Sequence, residues 1–176
     1  MQTQNLPLSG LKLITLAPQE DLRGHFRELY QKSRYTECGI TCEFFQDNLS
    51  YSKKDVLRGL HFQSFPGQAK LVSCLQGKIF DVAVDLRVGS PTFGKWEGIY
   101  LEGGKQFFIP VGFAHGFCVV SEEGATVHYK VSAPYAPTTE MSLNFNDPDV
   151  NISWPIKTPI VSPRDEKAPY LKELFL

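Results

Sequence analysis

An imidazole lies inside an apolar run, Val56-Leu57-Arg58-Gly59-Leu60-His61-Phe62-Gln63. Successive side chains of a strand point to opposite faces. Strict alternation therefore groups Leu57, Gly59, His61 and Gln63 against Arg58, Leu60 and Phe62. On local grounds His61 is either a satisfied wall group or a proton-transfer group facing a cavity. An imidazole titrates near pH ~6.5, which suits a general base close to neutrality. A second group of chemistry-bearing residues is Arg23-Gly24-His25-Phe26-Arg27-Glu28-Leu29-Tyr30. Guanidinium groups fork onto phosphates, and aromatic rings stack on bases. The same residues also fit a solvated edge strand. Gln46 and Asn48 end a polar-tipped strand over 43–50, where their amides either cap a turn or meet a ligand. His115 falls in 110–116, which reads as a loop.

The surrounding pattern must position these groups. Residues 11–16 alternate as a strand, 18–21 read as a turn, and 31–38 fit a short helix. Ile79 to Leu86 reads as a half-buried strand, with Phe80, Val82, Val84 and Leu86 on one face and Asp81 and Asp85 on the other. Further strands are expected over 70–75, 96–101, 106–109, 117–120 and 126–131, separated by Gly, Pro and Asn/Asp turns. Ser162-Pro163 reads as an N-cap with proline at the first helical position, and 170–176 as a short helix. Many short strands with helix mainly at the C-terminus predict an all-β sandwich or barrel.

At 176 residues and 42% hydrophobic content, a single domain over 1–176 with a real core is expected. A net charge of −1 leaves no electrostatic footprint for nucleic acid or an anionic membrane. No apolar run reaches the length of a membrane span, and the N-terminus lacks the regions of a signal peptide. The four cysteines form no C-x-x-C pair, and Cys74 and Cys118 read as buried small hydrophobes of a reduced, cytoplasmic protein. His25, His61, His115 and His128 show no metal-ligand spacing, and the position two after His61 is Gln63. No metal and no cofactor are expected.

Several motifs then occur in one order: Arg23-Gly24-x-Phe26-x-Glu28, Gln46-Asp47-Asn48, the His61 strand, Lys70-Leu71-Val72 and Phe80 to Arg87. Ser90-Pro91-Thr92-Phe93-Gly94, Ile109-Pro110-x-Gly112-Phe113-Ala114-His115-Gly116-Phe117, Tyr129-Lys130, Asn146-Asp147 and Ile152-x-Trp154-Pro155 complete the series. From about Pro18 to Asp165 the chain resembles the dTDP-4-dehydrorhamnose 3,5-epimerases, jelly-roll enzymes of the cupin fold. The resemblance implies an all-β cupin jelly roll with short peripheral helices. It also implies a nucleotide-sugar substrate of the dTDP-4-keto-6-deoxyglucose type, and a homodimer exchanging N-terminal segments.

By the same resemblance, His61 is the base, Asp165 its paired carboxylate, Tyr129 the acid on the other face of the sugar, and Lys70 the cation beside the C4 oxygen. Arg58 and His115 line the sugar and phosphate site; Arg23, Phe26, Glu28, Gln46, Asn48, Glu140 and Arg164 hold the nucleotide. The chemistry is coherent with these residue types. Protons at C3 and C5 flank the C4 ketone, and their removal gives an enolate that is reprotonated from the opposite face. A phenol, with a reference pKa of about 10, carries a proton at neutral pH. Each residue also has an ordinary structural role open to it: Asp165 follows Ser162 by three positions and suits a helix N-terminus. Departures from the family pattern at Pro134, Met141 and Phe145 fall in the stretch expected to shape the sugar and base pocket, and His25 stands where family members often carry Phe. They leave open inversion at C3, at C5 or at both. A non-catalytic nucleotide-sugar binding protein and a ketone-shifting isomerase are the rival readings.

Overall fold

The computed structural model describes residues 1–175. Its strands are β1 (Gln2–Asn5), β2 (Lys12–Thr15), β3 (Gln19–Asp21), β4 (Gly24–Phe26), β5 (Gln46–Ser52), β6 (Leu57–Gln63) and β7 (Lys70–Gln76). Then follow β8 (Ile79–Asp85), β9 (Trp96–Leu101), β10 (Lys105–Ile109), β11 (Phe113–Val119), β12 (Ala125–Val131) and β13 (Glu140–Ser142). The helices are short: α1 (Lys32–Glu37), α2 (Pro163–Glu166) and α3 (Leu171–Leu174). One sheet has the order β1-β2-β10-β7-β12-β5, and the other β13-β6-β11-β8-β9. Every paired strand in them is antiparallel. The two sheets form the jelly-roll sandwich of a cupin.

Their facing sides share one apolar core. Val72, Cys74, Phe107 and Val127 from the six-stranded sheet meet Ile79, Ala83, Phe113 and Phe117 from the five-stranded one. A second core lies behind the five-stranded sheet. There Leu57, Leu60, Phe80, Val82 and Val84 pack under Leu143, Val150, Trp154 and Leu171. The chain beyond β13 is thus a cover over the sheet's outer face.

That cover changes the reading of β8. Every residue of Ile79–Asp85 is buried, on both faces. The apolar parity points outward under the cover, and Asp81 and Asp85 point inward with Ile79 and Ala83. The expected half-buried strand is therefore a fully buried one. Three further expectations change. Residues 18–21 hold β3 rather than a turn, paired with β4 in an exposed hairpin. The strand expected over 23–30 ends at Phe26. Phe113–Val119 is a strand, so His115 lies within a sheet rather than a loop.

Strict alternation also fails inside β6. His115 pairs with His61, but Phe117 pairs with Arg58, so β6 carries one extra residue between them. This is a β-bulge. It puts Arg58 on the same face as His61, and Leu57 on the outer face with Leu60 and Phe62. Only glycine fits at position 59. Its φ is +119°, and a Cβ there would lie 2.6 Å from Gly116 Cα and 2.7 Å from the His115 carbonyl oxygen.

Candidate active site

At one end of the sandwich interior the apolar core gives way to a cleft of about 660 Å³. From the five-stranded sheet, β6 supplies Arg58, His61 and Gln63, β11 supplies His115, and β13 supplies Glu140. From the facing sheet, β7 supplies Lys70, β12 supplies Tyr129, and β5 supplies Gln46 and Asn48. Arg164 and Asp165 of α2 close the rim.

His61 Nε2–H donates to Asp165 Oδ1 at 2.7 Å. Asp165 is held by its helix: Ser162 caps α2, and its Oγ accepts from the Asp165 amide at 3.1 Å. The second carboxylate oxygen accepts from the Gly59 amide at 3.3 Å. Burial pushes the Asp165 carboxyl up, but the bonds from His61 and Gly59 outweigh it, and its pKa ends below the ordinary value. Asp165 is therefore an anion at neutral pH. It fixes the Nε2–H tautomer of His61 and leaves Nδ1 free to take a proton.

Lys70 and Tyr129 stand on the opposite sheet. Lys70 is 6% exposed. Burial drives its pKa down to about 8, against the attraction of Glu140 and Asp81. Burial raises the Tyr129 phenol above 10, with Arg58 opposing and Glu140 adding to the rise, so the phenol stays protonated near neutrality. Arg58 is braced by Ser52 Oγ at 2.8 Å and the Tyr51 carbonyl at 3.3 Å. Arg164 donates to Glu140 at 2.6 Å, and Tyr135 Oη donates to the same oxygen at 3.1 Å. Gln46 donates to Asn48 at 2.7 Å and accepts from the Tyr135 amide at 3.0 Å. Opposed sheets thus carry an imidazole–carboxylate pair and a protonated phenol across one space, with a buried ammonium beside the phenol. That arrangement can remove a proton from one face of a ring carbon and return one to the other. Among the described residues no group of three His, Cys, Asp or Glu side chains is placed to hold a metal ion.

The family model described as dTDP-4-dehydrorhamnose 3,5-epimerase matches residues 5–173. The chain belongs to this family. The dTDP-4-dehydrorhamnose 3,5-epimerase of Shigella flexneri is 48% identical over 149 residues, covering 82% of each chain. The dTDP-4-dehydrorhamnose 3-epimerase of Streptomyces niveus is 44% identical over 177 residues, covering 98% of this chain and 85% of the relative. Among solved structures, the dTDP-6-deoxy-D-glucose-3,5-epimerase of Legionella pneumophila, in complex with dTDP-4-keto-L-rhamnose, superposes with a TM-score of 0.93 at 48% identity. That match covers 97% of this chain and 93% of the Legionella one.

Within this epimerase fold, the sequence-derived candidates divide in two. His61, Lys70, Tyr129, Asp165, Gln46, Asn48, Arg58, His115, Glu140 and Arg164 all meet at the cleft. Arg23, Phe26 and Glu28 do not. Arg23 pairs with Asp21 at the tip of the β3–β4 hairpin, and Glu28 pairs with Arg34. Phe26 is 65% exposed and borders a smaller hollow over β7 and β10. Two of the departures from the family pattern also lie elsewhere than expected. Met141 and Phe145 pack into the outer core, behind the sheet, and do not line the cleft. Three groups escaped the sequence reading. Asp81 accepts from His115 at 2.5 Å in full burial. Gln63 has a buried amide nitrogen without a partner among the described residues. Tyr135 closes the rim. The signal for Asp81 was present: Ile79 and Ala83 share its parity, which marks that face as buried too.

Proposed function

We propose that this enzyme inverts C3 and C5 of a dTDP-4-keto-6-deoxyhexose through an enolate, with no cofactor. The supporting observation is the opposition of the His61–Asp165 pair and Tyr129 across one cleft. His61 Nδ1 takes the proton from the ring carbon. The electron pair of that C–H bond moves toward the C4 oxygen, where the Lys70 ammonium stabilises the negative charge. One well-placed donor of this kind is worth roughly 3–4 kcal/mol in other enzymes. Tyr129 gives its proton to the opposite face of the carbon, and the phenolate is reprotonated from solvent. Asp165 stabilises the imidazolium until it loses its proton to solvent. Arg58 and Arg164 carry charge suited to the diphosphate. Similarity to both a 3,5-epimerase and a 3-epimerase makes the number of inverted centres the point to measure.

The β3–β4 hairpin supports a homodimer that exchanges N-terminal segments. Leu22 at its tip is 107% exposed, and Arg23 and Phe26 project from the same hairpin, away from their own cleft. A second copy would receive them beside its own nucleotide site. Four free thiols suit a reducing compartment, the cytoplasm.

Proton NMR in heavy water with dTDP-4-keto-6-deoxyglucose tests the chemistry. Deuterium is expected at both C3 and C5; His61→Ala abolishes the exchange, and Tyr129→Phe abolishes inversion, since His61 can still return solvent deuterium to its own face. Exchange at the same rate in wild type and His61→Ala sinks the mechanism. Exchange at one carbon only reduces the activity to a mono-epimerase. dTDP binding with no exchange leaves a binding protein.

A further inference from the structure

The interior holds a second imidazole–carboxylate pair, and its setting differs from the first. His115 sits directly across from His61 in the β6–β11 register. Its Nε2 lies 2.5 Å from Asp81 Oδ1. Asp81 is 0% exposed, and its Oδ2 has no hydrogen-bond partner among the described residues. Its neighbours on the same face of β8, Ile79 and Ala83, belong to the apolar core. An orphaned buried acceptor costs about 1–3 kcal/mol, more when charged. A carboxylate that served only to pack β8 would be replaced at a gain by an apolar side chain of similar size. Lys70 faces it from the other sheet, also buried, with no carboxylate within 4.0 Å among the described residues.

Resting on the epimerase reading above, we propose that Asp81 is a positioning residue: its carboxylate holds His115 in one tautomer and supplies counter-charge to Lys70. With Asp81 ionised, His115 Nε2–H donates to it. Nδ1 is then the nitrogen left to accept a hydrogen bond, and its chemical partner is a hydroxyl of the hexose ring. The same charge favours the protonated form of Lys70, which Glu140 favours too. The other groups bearing on Lys70 around the cleft are the cations Arg58 and Arg164 and the imidazoles His61 and His115. Asp165 and the phenols Tyr129 and Tyr135 complete the set. Burial raises the Asp81 carboxyl, and His115, the Val82 amide and Lys70 offset that rise only in part. Asp81 thus differs from Asp165, whose hydrogen bonds leave it below the ordinary carboxylate value. The two pairs are poised for different work: His61 accepts a carbon-bound proton, and His115 orients the ring.

Two measurements test this. Nitrogen-15 NMR of histidine-labelled wild type reads the tautomer without any substitution and without activity. A protonated Nε2 and a bare Nδ1 on His115 are expected; a bare Nε2 overturns the proposal. The second measurement is Asp81→Asn, whose amide donates to Nε2 and forces the other tautomer. In a hydrolase triad the equivalent change costs about 10⁴ in kcat. Here the expected loss is roughly 10²–10⁴ in kcat at nearly constant KM, with the alkaline limb of the kcat profile moved to lower pH. Asp81→Asn combined with His115→Ala should lose less than the sum of the two single losses, and what it loses beyond His115→Ala is the share that acts through Lys70. A folded Asp81→Asn enzyme with wild-type kcat and pH profile, or a loss that adds fully to that of His115→Ala, overturns the proposal. Wild type without deuterium exchange refutes the epimerase reading instead, and the tautomer measurement still judges Asp81.

Discussion

Lys70→Met should make the protein more stable and nearly inactive. The ammonium lies 6% exposed, and burial lowers its pKa from 10.5 to about 8 even with Glu140 and Asp81 attracting it. At about 1.4 kcal/mol per tenfold, carrying that charge inside costs roughly 3 kcal/mol at pH 7. Methionine fills a similar volume without the charge. For a chain of this size, ~1 kcal/mol moves the thermal midpoint by ~2–4 °C, so a rise of roughly 6–12 °C is expected at pH 7. The sign of the pH dependence is fixed. Below pH 8 the lysine is charged in both states and the folded protein bears the full cost. Between pH 8 and 10.5 the unfolded chain binds the proton that the folded one has released, so wild-type stability rises with pH. The advantage of Lys70→Met should therefore shrink across that window and vanish above it. Groups that do not sense Lys70 cancel in the difference between the two proteins; Asp81 and Glu140, which interact with it, do not. Urea unfolding at several pH values, beside kcat at pH 7, makes the measurement. A Lys70→Met protein no more stable than wild type at pH 7, or an advantage constant from pH 8 to 10.5, refutes the reasoning.

Other outcomes follow from the same geometry. Asp165→Asn should lower kcat by ~10³–10⁴ with little change in KM, because the wrong tautomer of His61 is then favoured. Its stability should also fall short of wild type at pH 7, since the folded-state pKa of Asp165 is depressed; that gap closes as the pH drops below the usual carboxylate range. The proposed exchange of the hairpin predicts that Arg23→Ala and His61→Ala are each impaired alone and that mixing them restores activity. Random reassortment of a two-fold dimer leaves about a quarter of all sites intact. Mixtures no better than the separate variants would show that Arg23 serves the cleft of its own chain or none.

Much of this was legible in the sequence. The turn residues marked most strand ends, and Ser162-Pro163 gave the α2 cap correctly. Ten of the thirteen site candidates converge on one cleft. What alternation misread has a common physical cause. It assumes one wet and one dry face per strand, and both faces of β8 are dry. It also assumes an unbroken count, and the bulge at Gly59 moves Arg58 to the cleft side while sending Leu57 outward. The glycine was visible; the close approach of Gly116 and the His115 carbonyl that requires it joins residues more than fifty positions apart. His115 read as loop because Pro110 and Gly112 precede it, yet both lie outside Phe113–Val119.

Placing the cleft inside the sandwich has an energetic consequence. Lys70 and Tyr129 share inward faces with Val72 and Val127, and His115 and Asp81 with Phe117 and Ile79. Each polar group there displaces one that would have enlarged the common core. The roughly 3 kcal/mol assigned to Lys70 must be offset elsewhere, and the outer core is where the chain has room. A fully buried Val, Leu or Phe contributes about 1.5–3 kcal/mol, so one or two residues of the Phe80, Val82, Val84 row offset that charge. The covering segment from Leu143 to Leu171 is what makes the row buried at all. It therefore does two things for the site: it supplies Asp165 directly, and it stabilises the strand that carries Asp81. Loosening the cover, at Trp154 or Val150 for example, should lower stability without touching a reacting group. Such a change leaves kcat per folded molecule intact, which separates it from every substitution inside the cleft.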